Sequence, residues 1–441
     1  MKFLFKPSNY FFFLVAIICL TLLIYIVAIK QTILGNYFLI SFLLLSCLTS
    51  LVIIKTFKSE IKNIIALTAL SGISAVYVAE LYLTFESVDT AKIDFLATHD
   101  HRTMRDVVDE LRNGGQPTAV PIIYPSYLIT RPDLFSNNRA SINGGVILPL
   151  AGISARTTVL CNESGYWAIY DSDEFGFRNP KGIWGNSIDI AIVGDSFSHG
   201  NCVNDGNDWV SIIRKKYPMT INLGMGGNGP LYELATIKEY LTSVKPKIVI
   251  WEYYEANETR IKAEYAIPTL KRYLDEPDYK QNIMLKQVDV DFFLEQIVNQ
   301  AAAPPEEQAL HSKMASFLFL KHLRPRLGIH SAVKAHSNPN MLILRKALAE
   351  GRRVVESWGG ILYFVYLPSA LGLTSAVPPD WYASREEVIS LAKSEGLQVI
   401  DLYPIFKGYQ DPLQFFPYRA PLHYNEEGYK VVGDTIIGYL Q

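Results

Sequence analysis

Three long apolar runs follow one another at the start of the chain, Tyr10 to Ile29, Ile33 to Ile54 and Ile64 to Phe85, the last with Glu80 near its far end. A helix rising about 1.5 Å per residue needs roughly 20 apolar residues to cross about 30 Å of hydrocarbon, and each run meets that length. Residues 1–88 are therefore expected to form a three-helix transmembrane anchor whose partner is membrane lipid. Lys2 and Lys6 ahead of the first run would also suit a cleaved signal peptide, but the run is long for a signal core and two more follow it. Lysines fix the orientation, because they are retained on the cytoplasmic side of short loops. Lys2 and Lys6 precede the first run, Lys30 alone separates the first from the second, and Lys55, Lys58 and Lys62 separate the second from the third. The N-terminus is then inside, and three crossings deliver everything after about Phe85 to the extracytoplasmic face of a multi-pass cell-membrane protein.

Of 441 residues, 49% are hydrophobic, and the long apolar runs that contribute most to the excess lie in that anchor. The formal net charge of −2 supplies no basic face, which excludes a nucleic-acid partner. Cys19 and Cys47 fall in the expected spans, leaving Cys161 and Cys202 in the exported part, where an oxidising compartment permits a disulfide between them, two unpaired buried thiols being the alternative.

Residues 89–155 read as an extracytoplasmic connector, with one helical stretch from Met104 to Arg112 broken off by prolines at 117, 121 and 125. Residues 156–441 are read as the main domain, and from about Ile188 onward a different rhythm appears. Short β-rich apolar runs (Ile188 to Val193, Thr220 to Leu223, Lys247 to Tyr253, Ile361 to Leu367, Leu397 to Leu402) alternate with amphipathic helical stretches. Strands apolar on both faces are covered by helices on both, the pattern of a parallel α/β sheet. Helix starts are signalled by Asp208, by Pro230, by Ser384 with Glu387, and by Asn425 before the last helix. The stretch from about 258 to 360 is too long for a simple crossover and is expected to hold a helical insertion, including Val288 to Gln300 and Met341 to Trp358, that shapes the substrate mouth.

The first strand ends in IAIVGDSFSHG, which puts Ser196 where a strand gives way to a helix start. The second runs into the glycine cluster NLGMGGNGP, the third ends in WEYYEANE with Asn257, and PLHYNEEGY places His423 in a loop before the final helix. In a parallel sheet these strand ends converge on one crevice. The order GDS, NxGxxG, asparagine after the third strand and histidine before the final helix resembles the SGNH (GDSL-like) hydrolase superfamily. The resemblance covers about Ile188 to Leu440 apart from the insertion, and implies a flavodoxin-like domain with a five-stranded parallel sheet. It further implies that Ser196 is a nucleophile, His423 its base, and that the Ser196 N–H, Gly227 and Asn257 form an oxyanion hole. No metal or other cofactor is implied.

Two positions depart from the family. Its usual aspartate three residues before the histidine is Ala420 here, and its GxND reads Glu255-Ala256-Asn257-Glu258. A Ser196–His423 dyad with the ring held by a backbone carbonyl is the expected arrangement; Asp401, closing the fifth strand, is the alternative orienting acid. His199 reads as a solvent-facing loop histidine and Asp195 as a turn residue. Of Trp251, Tyr253 and Tyr254, alternation makes some core, which is the favoured reading, while any at the mouth could stack on a sugar; His99-Asp100-His101 lacks the further ligands a metal needs. The function expected is an acyl-ester hydrolase or O-acyltransferase acting outside the cytoplasm on acetylated glycans, the transferase needing a membrane partner to supply its acyl donor. The alternative is a glycan-binding or assembly protein on the same fold.

Overall fold

A computed structural model describes residues 55–86, 99–127, 147–300, 339–374 and 383–441, with isolated positions between Asn9 and Ile53. The first two apolar runs lie largely outside the described residues. The third is a helix, Ser59–Glu86, of which Ser59–Glu80 is long and apolar enough to cross a membrane. Among the described residues there is thus one candidate span where three were expected, and it belongs to a compact unit separate from the rest of the fold.

A small sheet comes first in the other unit. Strand β1 (Val120–Pro121) pairs in parallel with β2 (Thr157–Val159), and β2 pairs antiparallel with β3 (Ile169–Asp171). The segment read as a connector therefore shares a sheet with residues after 156. Its helix, Met104–Asn113, opens on a capping box between Thr103 and Asp106 and buries Val107 and Val108 against Val159.

The main sheet holds β4 (Ile190–Val193), β5 (Thr220–Asn222), β6 (Ile248–Tyr254), β7 (Ile361–Leu367) and β8 (Gln398–Asp401). All neighbours are parallel, in the order β5-β4-β6-β7-β8. Alternate side chains leave opposite faces of a strand, and two cores result. Ala191, Val193, Val249, Trp251, Phe364 and Tyr366 point into one; Ile190, Ile192, Ile250, Val365 and Ile400 point into the other, beneath Trp209 and the C-terminal helix. A large apolar side chain fully buried this way contributes about 1.5–3 kcal/mol.

The signalled helix starts are in place. Asp208 accepts from the Ser211 N–H and Asn425 from the Gly428 N–H, each at 2.9 Å; Pro230 opens its helix, and Ser384 and Glu387 form a reciprocal box. The long stretch between β6 and β7 is helical where described: Ile261–Tyr265, Pro268–Asp275, Gln287–Gln300 and Pro339–Glu356. Residues 301–338 of it lie outside the described residues. Rather than standing apart as an insertion, these helices cover the sheet. Leu344, Leu348 and Val355 join the same core as Trp251, and Gly351 lets its helix approach so closely that a Cβ there would lie 2.4 Å from the Trp251 ring.

Candidate active site

Strand β4 stops at Val193, and Gly194-Asp195 turn the chain into a single helical turn, Ser196–His199, capped by the Asp195 carboxylate on the Phe197 N–H at 2.9 Å. Behind the turn lies Glu252 of β6, fully buried, whose Oε2 accepts from the Asp195 N–H at 3.1 Å and from the Ser198 hydroxyl at 2.9 Å. One carboxyl thus pins the turn on either side of Ser196. Burial, with the charges of Asp195 and Glu233 nearby, pushes the Glu252 carboxyl well above the ordinary carboxylate range.

The Ser196 Oγ lies 2.8 Å from Nε2 of His423. On the other side of the ring Nδ1 lies 2.8 Å from Oε2 of Glu163, and the same oxygen accepts the His423 backbone N–H at 3.0 Å. Glu163 comes from the loop joining β2 to β3. Burial alone would raise its carboxyl, but the hydrogen bonds and charge of His423 outweigh that and hold it below the ordinary value. The expectation of a carboxylate-free dyad is therefore corrected: an acid stands at the His423 ring, from a part of the chain that precedes Ser196.

Asp401 is not that acid. Its Oδ2 accepts from Arg385 Nε at 2.9 Å and its Oδ1 from the Tyr403 N–H at 3.0 Å. The reason is topological, since β8 stands three strands from β4, about 14 Å at the usual spacing.

A disulfide joins Cys161 and Cys202, with Cα atoms 5.0 Å apart. It ties the Glu163 loop to the segment just after the Ser196–His199 turn, and Cys202 Sγ lies 3.9 Å from Nδ1 of His423. Glu163, Cys202 and His423 are also the one group of potential metal ligands close enough together among the described residues, but the sulfur is committed to the disulfide.

Gly227 has φ +77°, a left-handed conformation, and a Cβ there would lie 2.2 Å from the Ser126 hydroxyl oxygen. Asn257 opens a short turn, Asn257–Arg260, after the left-handed Ala256. It is 1% exposed, and its amide nitrogen has no hydrogen-bond partner. A buried donor left open costs about 1–3 kcal/mol, so its retention fits a ligand atom arriving there. Gly224 packs on the Ser196–His199 turn: a Cβ would lie 2.5 Å from the His199 nitrogen and 2.7 Å from the Ser198 carbonyl carbon. Since backbone cannot step aside, Gly224→Ala is expected to lower stability by about 3 kcal/mol, read as a lower urea midpoint at unchanged slope.

His199 departs from its reading as a solvent-facing residue. It is fully buried between Tyr124 and Tyr170, and burial drives its pKa down to about 3. Trp251 and Tyr253 are core, while Tyr254 stacks on Phe197 with ring centres 4.0 Å apart. His99 lies 2.7 Å from the Asn162 amide nitrogen, in the loop that carries Glu163.

Sequence reasoning missed three neighbours of the site: Glu163, the turn Tyr124–Tyr127, and Arg260. Tyr124 lies against Gly226, with ring atoms 2.3–2.7 Å from where a Cβ would be, and Ser126 donates to the Gly226 carbonyl at 3.1 Å. A signal for Glu163 did exist, since it lies two residues from a cysteine expected to pair beside the nucleophile. A cavity of about 610 Å³ lined by Arg178, Lys181, Asp205 and Arg214 includes none of the Ser196, His423 or Glu163 side chains.

No protein-family model matches the sequence, and no curated protein matches it. Among solved structures, the chain is similar to a lipase/acylhydrolase from Enterococcus faecalis, with 14% identity, 57% of this chain and 95% of that one covered, and a TM-score of 0.33. It is also similar to a two-domain esterase active on acetylated mannans, with 14% identity, 57% and 48% covered, and a TM-score of 0.32. A third is an acetyl xylan esterase, with 14% identity, 58% and 100% covered, and a TM-score of 0.31.

Proposed function

We propose that the chain is a serine-dependent acyl-ester hydrolase, with Ser196 as nucleophile, His423 as general base and Glu163 as the orienting acid. The observation that carries this reading is the continuous contact from the Ser196 Oγ through both ring nitrogens of His423 to Glu163, 2.8 Å at each step. A serine hydroxyl is a weak nucleophile at neutral pH until a neutral imidazole takes its proton. As the Oγ bonds to the acyl carbon, its proton passes to Nε2, and Glu163 stabilises the imidazolium through the Nδ1–H. The carbonyl oxygen becomes an oxyanion received by the N–H groups of Ser196 and Gly227 and the open amide of Asn257. Collapse expels the alcohol, which takes the proton back from Nε2, and leaves an acyl-serine. A water molecule, deprotonated by the same ring, then releases the acid.

Acetylated glycans outside the cytoplasm are the proposed substrates, reached by a domain tethered through the apolar N-terminal part. The Cys161–Cys202 disulfide supports an oxidising compartment. Transfer of the acyl group to a sugar hydroxyl uses the same acyl-serine and would require a membrane partner that supplies the donor. The glycan-binding alternative rested on Ala420, and Glu163 at the ring removes that motive. A fluorophosphonate probe is expected to label the wild-type protein at Ser196, with Ser196→Ala losing the label entirely. An unlabelled wild type with a folded domain would defeat the hydrolase reading.

A further inference from the structure

Arg260 has no part in the proton relay, yet it stands at the same site. It closes the 3-10 turn that Asn257 opens, and in that geometry residues three apart project over one another. Its Nη1 is 3.4 Å from the position a Gly227 Cβ would take, beside the Ser126 hydroxyl. The side chain is 39% exposed; its nearest anion is Asp195 Oδ2, 4.0 Å from Nη2. That Asp195 oxygen is itself buried without a hydrogen bond. No hydrogen bond to the guanidinium is formed by the described residues.

A guanidinium offers five N–H donors in a planar fork that matches a carboxylate or phosphate two bonds at a time. The other acids around it compete weakly. Glu264 is tied to the N–H groups of Gly229 and Leu231 at 2.6 and 2.9 Å, and burial holds its carboxyl up at about 7. Burial and the neighbouring acids raise Glu233 well above the ordinary range. Arg260 is thus a half-exposed cation with unused donors, next to the glycine assigned to the oxyanion.

Resting on the hydrolase reading, we propose that Arg260 recognises a negative charge on the substrate: the acylated sugar carries a carboxylate or phosphate that enters the Arg260 fork while its ester lies over Ser196. An uncharged competitor leaves those donors to water and gains no charge-assisted bond, which disfavours it. Charge-assisted hydrogen bonds of this kind correspond to about tenfold or more in selectivity.

The test compares three acetyl esters, of glucuronic acid, of glucose 6-phosphate and of glucose, on the full chain in detergent. Wild type is expected to show kcat/KM at least about tenfold higher for one or both charged esters than for the neutral one. The better charged ester identifies whether carboxylate or phosphate is the natural group. In Arg260→Gln the charged-to-neutral ratio should collapse toward one through KM, and Arg260→Lys should restore part of it, since an ammonium keeps the charge but loses the fork. The wild-type ratio should also fall with added salt, because a half-exposed ion pair is screened. Equal kcat/KM for all three esters in the wild type would overturn the proposal while leaving the hydrolase reading intact. So would an Arg260→Gln loss that falls on kcat for charged and neutral esters alike, which would make Arg260 part of oxyanion stabilisation instead. Equilibrium binding of the same compounds to Ser196→Ala separates the two readings. If no ester is turned over but charged sugars bind in an Arg260-dependent way, the hydrolase reading fails and the charge recognition stands; if they bind no better than glucose acetate, it falls too.

Discussion

Glu163→Gln is expected to lower kcat on an acetyl ester by about three to four orders of magnitude, the scale seen when a triad acid becomes its amide. Glutamine keeps the length and shape of the side chain, so the loop can stay in place. It cannot stabilise the imidazolium that forms when His423 takes the Ser196 proton, and it can present an amide N–H where the ring nitrogen needs an acceptor. The loss should therefore fall on kcat with KM little changed. Asp401→Asn, whose carboxylate is engaged by Arg385 and the Tyr403 N–H, should change kcat by less than about threefold, since that side chain has no contact with the His423 ring. A Glu163→Gln enzyme within a few fold of wild type would restore the dyad. The sign of the pH dependence follows from the same contact. Because His423 holds the Glu163 carboxyl below its ordinary value, the pair is intact above the ordinary glutamate range and is lost only as pH falls through that lowered value. Protonation of Glu163, followed by its carboxyl infrared band, should thus begin only below the ordinary glutamate range; activity is lost separately wherever the base itself is protonated, since an imidazolium cannot take the Ser196 proton.

The strands and the nucleophile turn were legible because their signals are local. An apolar run bounded by turn residues specifies a buried strand, and a capping residue followed by an amphipathic stretch specifies a helix. β4 to β8 accordingly start or end within two residues of the expected runs. Ser196, Gly227, Asn257 and His423 were legible for a related reason, since each sits at a strand end or a helix start that the topology carries to one edge. Glu163 was not, because its place depends on the β2–β3 loop folding back over a turn that comes more than thirty residues later. Nothing in the spacing from Glu163 to Ser196 encodes that path; only the cysteine two residues earlier does. His199 was misread through a similar gap. Its burial is made by Tyr124 and Tyr170, both upstream of the main sheet, the first in the part read as a connector and the second ahead of the first expected strand. The long β6–β7 stretch misled in the opposite direction: its length suggested a separate insertion, whereas its apolar positions at helical spacing fill the same core as Trp251.

Replacing Cys161 and Cys202 together by serine is expected to cost both stability and turnover, with the second loss running through Glu163. The bond closes a separation of 41 residues, and in the chain-entropy account releasing a loop of that size destabilises by about 4 kcal/mol. A drop in the urea midpoint should report it. The catalytic effect follows from placement. Cys161 stands two residues before Glu163, and Cys202 lies six residues after Ser196 with its sulfur 3.9 Å from the His423 ring, so the bond fixes the acid relative to both partners of the relay. Without it the β2–β3 loop gains freedom, Glu163 leaves the ring for part of the time, and kcat should fall by about tenfold or more. Two measurements separate this from general unfolding. Fluorophosphonate labelling at low denaturant should persist at a reduced rate, because Ser196 and His423 are held by β4, β6 and the C-terminal helix rather than by the disulfide. Adding Glu163→Gln to the double-serine protein should then cost much less than it costs the wild type, the non-additivity expected of residues that act through one contact. A dithiol reductant should reproduce the loss in the wild type, converting the disulfide to two thiols as the dithiol becomes its own cyclic disulfide, and should leave the double-serine protein unchanged. Full additivity of the Glu163 and cysteine substitutions would mean that the disulfide stabilises the domain without positioning the acid.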